Sequence, residues 1–232
     1  MSARVCSKNR KRGAGFSLIE LMVVVVIIGI IAALAIPGMI VTQYDRQAYS
    51  DAGAIMMLFR EARTRSVARG AAELVTMTAS GNATTTDRGT FQLYEAISPN
   101  AGGQGSNRTP VGSCKSPTKW TVLNDGTNSI LIDGVNLNTG TNTLEASAQI
   151  TTSMGYYLSP SSASKTTFNS GYVCFTPLGR SYLAVPSTAT PVFDGALPST
   201  TPLEFDVTWT NSGTTRAILL PPNGMARLFS HT

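Results

Sequence analysis

The chain has one histidine and three cysteines in 232 residues, and no acid before Glu20. That histidine, His231, is the second-last residue. A metal site of the ordinary histidine type is therefore excluded. A Ser-His-Asp arrangement would have to hang its base on the tail. Neither a phosphate-binding loop nor a dinucleotide fingerprint occurs. Asp125-Gly-Thr-Asn128 and Asp133-Gly-Val-Asn136 set oxygen donors near glycines, but the twelve-residue calcium loop is missing, so both read as turns. Charged residues make up only 13% of the chain, and no internal repeat is visible. These shortages leave no catalytic, metal or cofactor residue to nominate. The expectation is a protein that is not an enzyme and that acts by binding or assembly.

What the chain does have is a long apolar run. Gly15 to Pro37 reads GFSLIELMVVVVIIGIIAALAIP, and Leu21–Ile36 carries no charge. At 1.5 Å per residue, a helix over Phe16–Ile36 is about 30 Å long, the thickness of a bilayer core. Before it stand Arg4, Lys8, Arg10, Lys11 and Arg12 without a single acid. Such a leader stays in the cytoplasm and sends the C-terminal side of the span outward. Ala32, Ala33 and Ala35 could serve an ordinary secretory signal, yet the run is long for that class. A plain transmembrane anchor is the stronger alternative.

Gly15-Phe16-Ser17-Leu18-Ile19-Glu20, after a short basic leader and before a hydrophobic helix, resembles the processing site of type IV prepilins and type II secretion pseudopilins. The resemblance implies cleavage between Gly15 and Phe16 by a membrane prepilin peptidase, with methylation of the new N-terminus. It also implies that Glu20 registers the subunit against the Phe16 amine of its neighbour during assembly. A carboxylate at the edge of hydrocarbon is costly without such a partner. Loss of the leader removes five cations from a precursor of formal charge +5, leaving 13 Lys+Arg against 13 Asp+Glu. The high isoelectric point is thus a poor argument for nucleic-acid binding. Gly29 permits close helix packing. Pro37 lacks an N–H, which predicts a kink or local melting and a hinge over residues 33–38.

Past the anchor, Ile40, Tyr44, Ala48, Ala52, Ile55, Phe59, Ala62 and Ser66 recur at steps of three or four, which predicts one helical face lying on a sheet. Gly70 suits the C′ position. Arg63, Arg65 and Arg69 read as a solvated or subunit-contacting helix end. Beyond Gly70 the period changes, and strands are expected at 72–79, 90–97, 119–123, 129–133, 144–151, 171–176, 180–185, 203–210, 215–220 and 225–229. Residues 98–118, 159–170 and 186–202 read as polar loops. The expected fold is α+β: a long N-terminal helix, hydrophobic then amphipathic, on a C-terminal antiparallel sheet domain, the arrangement of a pilin. The divisions are a leader 1–15, a hydrophobic helix 16–37, an amphipathic helix 38–70 and a β-rich head 71–232.

Within the head, Cys174-Phe175-Thr176-Pro177-Leu178-Gly179-Arg180 resembles the turn of the GspH/FimT-type minor pilins and pseudopilins. Pro177 presets a turn and Gly179 tolerates positive φ. Some members of that branch bind DNA through a glycine-arginine-x-arginine element. Gly224-Met225-Ala226-Arg227 stands in its place with the first arginine lost, and Arg180, Arg216 and Arg227 are the candidates to gather on one nucleic-acid-binding face. Cys6 leaves with the leader, so Cys114 and Cys174 form a disulfide or remain as a loop thiol and a buried thiol. The resemblance implies a minor pilin that primes type IV pilus assembly or sits near the tip. A type II secretion pseudopilin, a major pilin and a DNA-uptake pilin are the alternatives. Its partners would be other major and minor pilins through the N-terminal helix, the prepilin peptidase, the inner-membrane assembly platform and, in the last case, DNA. It would begin as a single-pass inner-membrane protein with its head outside the cytoplasm, then move to the filament or its tip.

Overall fold

A computed structural model of the chain describes residues 17–79, 89–98, 109–115, 119–137, 150–157, 165–184, 193, 202–209 and 215–231. Two compact units divide it, Met1–Thr42 and Gln43–Thr232. In chain order the elements are α1 (Leu18–Arg69), β1 (Glu73–Ala79), β2 (Gly89–Ser98), β3 (Thr109–Pro110), β4 (Ser129–Asn136), β5 (Ile150–Tyr157), β6 (Lys165–Phe168), β7 (Ser170–Phe175), β8 (Ser181–Ala184), β9 (Leu203–Trp209), β10 (Thr215–Leu220) and β11 (Arg227–His231). This is the expected α+β class, a long N-terminal helix followed by antiparallel sheets.

The helix starts where its sequence says it should. The Ser17 carbonyl accepts from the amides of Glu20 and Leu21, at 3.0 and 3.2 Å. Ser17 with Glu20 three residues on is the spacing of a capping box. From there α1 runs unbroken through Gly29 and Pro37 to Arg69. The local melting expected over 33–38 is absent: a lone proline removes one hydrogen bond of the ladder, and the bonds on either side carry the helix past it. The two segments expected on either side of Pro37 thus belong to one continuous helix, Leu18–Arg69. Gly70 ends it at φ +68°, its amide bonded to the Ser66 carbonyl at 3.1 Å.

In the second unit, six strands form one sheet in the order β3-β2-β1-β7-β8, with β4 also on β2; five form another, β11-β10-β9-β5-β6. Alternation along the strands assigns the faces. Val75, Met77, Phe91, Leu93, Val173 and Phe175 of the first sheet meet Met154, Leu203, Phe205, Val207, Ile218 and Leu220 of the second around Ala48, Ala52, Ile55, Leu58, Phe59 and Ala62 of the helix. The Phe59 ring lies 4.8 Å from Phe205 and 6.4 Å from Phe175, centroid to centroid. From Ala48 on, the helical face predicted from spacing is the buried one. The first sheet's other face carries Leu74, Tyr94, Ala96 and Cys174 under a smaller core with Cys114, Trp120 and Phe193. That sheet is therefore covered on both sides.

Several strand expectations need correction. Residues 119–123 form no strand; Trp120 turns inward and donates its indole N–H to the Cys114 carbonyl at 3.1 Å. Trp120 and Leu123 plug the smaller core while Val122 is left exposed, so the stretch does not pair as a strand. Asp133–Asn136, read as a turn, belongs to β4, where the pairing skips from Asp133 to Leu131 and leaves Ile132 as a bulge opposite Leu93 and Tyr94. Lys165–Phe168, expected as loop, is β6. β5 extends to Tyr157, beyond the expected 144–151, of which residues 144–149 lie outside the described residues.

Candidate functional site

The first surface is the front of the helix. Leu18–Ala35 has a mean hydropathy of 3.0, none of it is buried, and Glu20 is its sole charge. A Cβ added at Gly29 would meet nothing within 4 Å, so nothing inside the chain requires a glycine there. An exposed apolar span of this size must be covered by lipid or protein in use. Gly15 and Phe16, the expected cleavage pair, lie outside the described residues. So does the side chain of Pro37, whose backbone is helical.

The arginines on the last turns of the helix, expected as a solvated or subunit-contacting end, are engaged by the head, although Arg69 remains half exposed. Arg60 donates through Nε to the Ala226 carbonyl at 2.9 Å. Arg63 forks across the carbonyls of Gly224 and Asn223, both at 2.7 Å. Arg65 and Arg69 reach Glu95 at 3.1 and 3.0 Å. These guanidiniums bind the helix to the head, because the last turns of α1 pass directly over polar groups at the strand and turn ends.

Beneath Arg65 two carboxylates face each other across the β1–β2 register, Glu73 opposite Glu95. Glu73 is fully buried, and neither oxygen accepts a hydrogen bond among the described residues. Burial, then the Glu95 charge, outweigh Arg65 at 3.7 Å and Arg69, and push the Glu73 carboxyl up to about 8. It is therefore mostly protonated at neutral pH. A second buried group sits on the outer face of the other sheet. Lys165 lies over Gly155, bonds Glu204 at 3.2 Å and also contacts Asp206. Sequence reading missed both groups. The signal for the first was present: Glu73 shares strand parity with Val75 and Met77, which marks it as inward.

The three candidate arginines do not gather. Arg216 pairs with Val207 of β9 on the core face and gives its guanidinium to both oxygens of Asp45, at 2.7 and 2.9 Å, with Tyr49 alongside. Arg227 pairs with Leu219, three residues from Arg216, and so projects from the opposite face. It is exposed and lines a groove of about 510 Å³ with Leu219, Phe229 and Pro221. Arg180 is exposed at the end of the other turn. That turn has the form its residues predict. Gly179 sits at φ +74° and donates to the Thr176 carbonyl at 2.8 Å, and the Thr176 amide closes onto the Arg180 carbonyl at 2.9 Å. Phe175, before it, is core.

Cys114 and Cys174 are bonded, with Cα atoms 5.9 Å apart. The bond joins the loop after β3 to β7 and fills part of the smaller core. Asp125 does form a turn: its carboxylate accepts from the amides of Thr127, Asn128 and Ser129 and from the Asn128 side chain. Partial burial works against ionisation, but these bonds prevail and hold the carboxyl at about 2. With its oxygens so occupied, it is a turn organiser. No group of three or more His, Cys, Asp or Glu residues poised for a metal occurs among the described residues.

Residues 10–36 match the family described as Prokaryotic N-terminal methylation motif, the segment typical of type IV pilin-like prepilins. The match covers the residues just before α1 and most of its apolar front. No curated protein and no solved structure matches the chain.

Proposed function

We propose that this chain is a minor pilin of the GspH/FimT type, a low-copy subunit that primes type IV pilus assembly or stands near the tip. The observation that carries the reading is the front of α1: an exposed apolar span whose one charged residue, Glu20, stands at its leading edge, within a methylation motif. Such a rod is stable in lipid. It is equally stable among neighbouring rods, since burying apolar area is worth roughly 25 cal/mol per Å² in either setting. Leader removal at Gly15–Phe16 exposes an amine, and the Glu20 carboxylate is the counter-charge that sets register as one rod slides against the next. The basic leader fixes the orientation, placing the head outside the inner membrane. A bonded Cys114–Cys174 pair suits that compartment.

A type II secretion pseudopilin has the same anchor and differs in the machine it serves. DNA uptake has less support than the sequence suggested, because Arg216 is held by Asp45 and faces away from Arg227. Two cations, Arg180 beside a turn and Arg227 on β11 of the other sheet, neutralise few phosphates, and affinity for nucleic acid scales with that number.

Mass spectrometry of sheared, purified fibres tests the proposal. The expected peptide begins at methylated Phe16 and is present far below the major subunit. Glu20→Ala should leave membrane insertion intact and remove the chain from fibres. Absence of the unaltered chain from fibres, together with failure of protein secretion in a deletion strain, would assign it to the secretion machine instead.

A further inference from the structure

A cleft of about 260 Å³ opens beside the disulfide, between Gly112–Lys115 on one wall and Thr176–Tyr182 on the other. Lys115 stands on the first wall, 6.0 Å over the Tyr182 ring, and Arg180 is exposed on the second. No acid is among the lining residues. Arg60, Arg63, Arg65, Arg69 and Arg216 are held by carbonyls or carboxylates. Lys115 and Arg180 have no carboxylate partner among the described residues. At the lip Leu178 is 87% exposed, on a turn whose backbone is closed by two hydrogen bonds. The walls are fixed to each other: Cys114 precedes Lys115, Cys174 precedes the turn, and a Cβ on Gly112 would stand 3.1 Å from the Pro177 ring.

We propose that this cleft docks one acidic side chain of a protein partner, with Lys115 and Arg180 receiving the carboxylate and Leu178 covering an apolar residue beside it. Size argues for a single side chain, since pockets for small molecules and cofactors hold about 300–1,000 Å³. Arginine and tyrosine are the residue types enriched at protein-binding anchors, and here they stand beside an exposed leucine on a rigid turn. Two cations are too few for useful affinity to a nucleic acid backbone. A charge-assisted fork from Arg180 gives direction to the contact, and the preformed turn keeps its ordering cost low. Because the disulfide joins the two walls, the subsite is complete only in the oxidised head.

The inference goes beyond the pilin reading and does not rest on it. The probe is an array of octapeptides that carry Glu, Gln or phosphoserine at one position beside a leucine. The full processed chain in detergent is passed over it at about 0.1 M salt. Retention on Glu peptides is expected, about tenfold weaker on Gln peptides. Arg180→Ala and Lys115→Ala should each weaken it by a similar factor, and reduction of the disulfide should abolish it. Both side chains are exposed, so an unchanged urea midpoint separates lost binding from lost folding. Glu20→Ala should bind as the unaltered chain does, even where it fails to enter fibres. Equal retention on Gln peptides, no retention, or retention on phosphoserine peptides or a thymidine oligonucleotide but not on Glu peptides would overturn the assignment.

Discussion

Glu73 shows how one buried group sets a pH dependence. Its folded value of about 8 lies above the ordinary 4.5. Below pH 4.5 the folded and unfolded chains both hold the proton, and nothing is lost. As pH rises the unfolded chain releases it first, so stability falls between about pH 4.5 and 8 and then levels. The loss is on the order of a few kcal/mol, since each tenfold change in proton affinity is worth about 1.4 kcal/mol. Glu73→Gln should flatten the profile, read from urea midpoints at pH 5 and pH 8. A wild-type profile that is already level would contradict a neutral, buried Glu73. Asp125 works in the opposite sense: held at about 2, its stabilisation is present above pH 3.8 and is lost as pH falls toward 2. Gly155 is a second sensitive position. A Cβ there would lie 2.6 Å from the Thr166 carbonyl oxygen and 2.7 Å from the Lys165 stem. Gly155→Ala should therefore cost about 1–3 kcal/mol in chemical denaturation by displacing Lys165 from Glu204.

Among the elements, the hairpin of β7 and β8 was legible because Pro177 fixes its own φ and Gly179 takes the positive φ, +74°, that other residues resist. The first sheet's two-sided burial was harder to read. β1 alternates as ELVTMTA, and nothing local says that both parities find apolar cover. That cover comes from Cys114 and Trp120, some forty residues on, and one long-range bond holds it in place. Replacing both Cys114 and Cys174 with serine should lower stability by about 2–4 kcal/mol. Amide exchange should rise first at 111–115 and 119–123, before it rises in β1. Exchange that rises uniformly would show that the loop and the sheet open together. The KWTVL segment was misread because a buried plug and a short strand share one composition, and only the partner decides between them.

Taken entire, the chain joins an apolar rod to a head with its own core. Every buried hydrophobic residue among those described lies at or after Ala48. The 43–232 fragment should accordingly fold cooperatively and stay monodisperse without detergent, whereas the full chain should need it. Sedimentation of both at equal concentration checks this. A fragment that aggregates as the full chain does would place apolar contacts of the rod in the head's stability.

Local chemistry alone was enough for the exposed apolar span, the place of its one acid, the helical face from Ala48 on, the glycine at the helix end and the 176–180 turn. Each depends on neighbours within a few residues, or on a run of hydropathy that reads the same in any context. Tertiary packing decided where the cations went. Arg216 and Arg227 differ by strand parity once β10 and β11 pair, and Arg60, Arg63, Arg65 and Arg69 take acceptors that arrive from as far as 166 residues away. A charge can be counted along a chain, but its partner is a property of the folded space around it. For that reason the meeting of Lys115 with Arg180 across the cleft, from segments some sixty residues apart, is visible only in the fold.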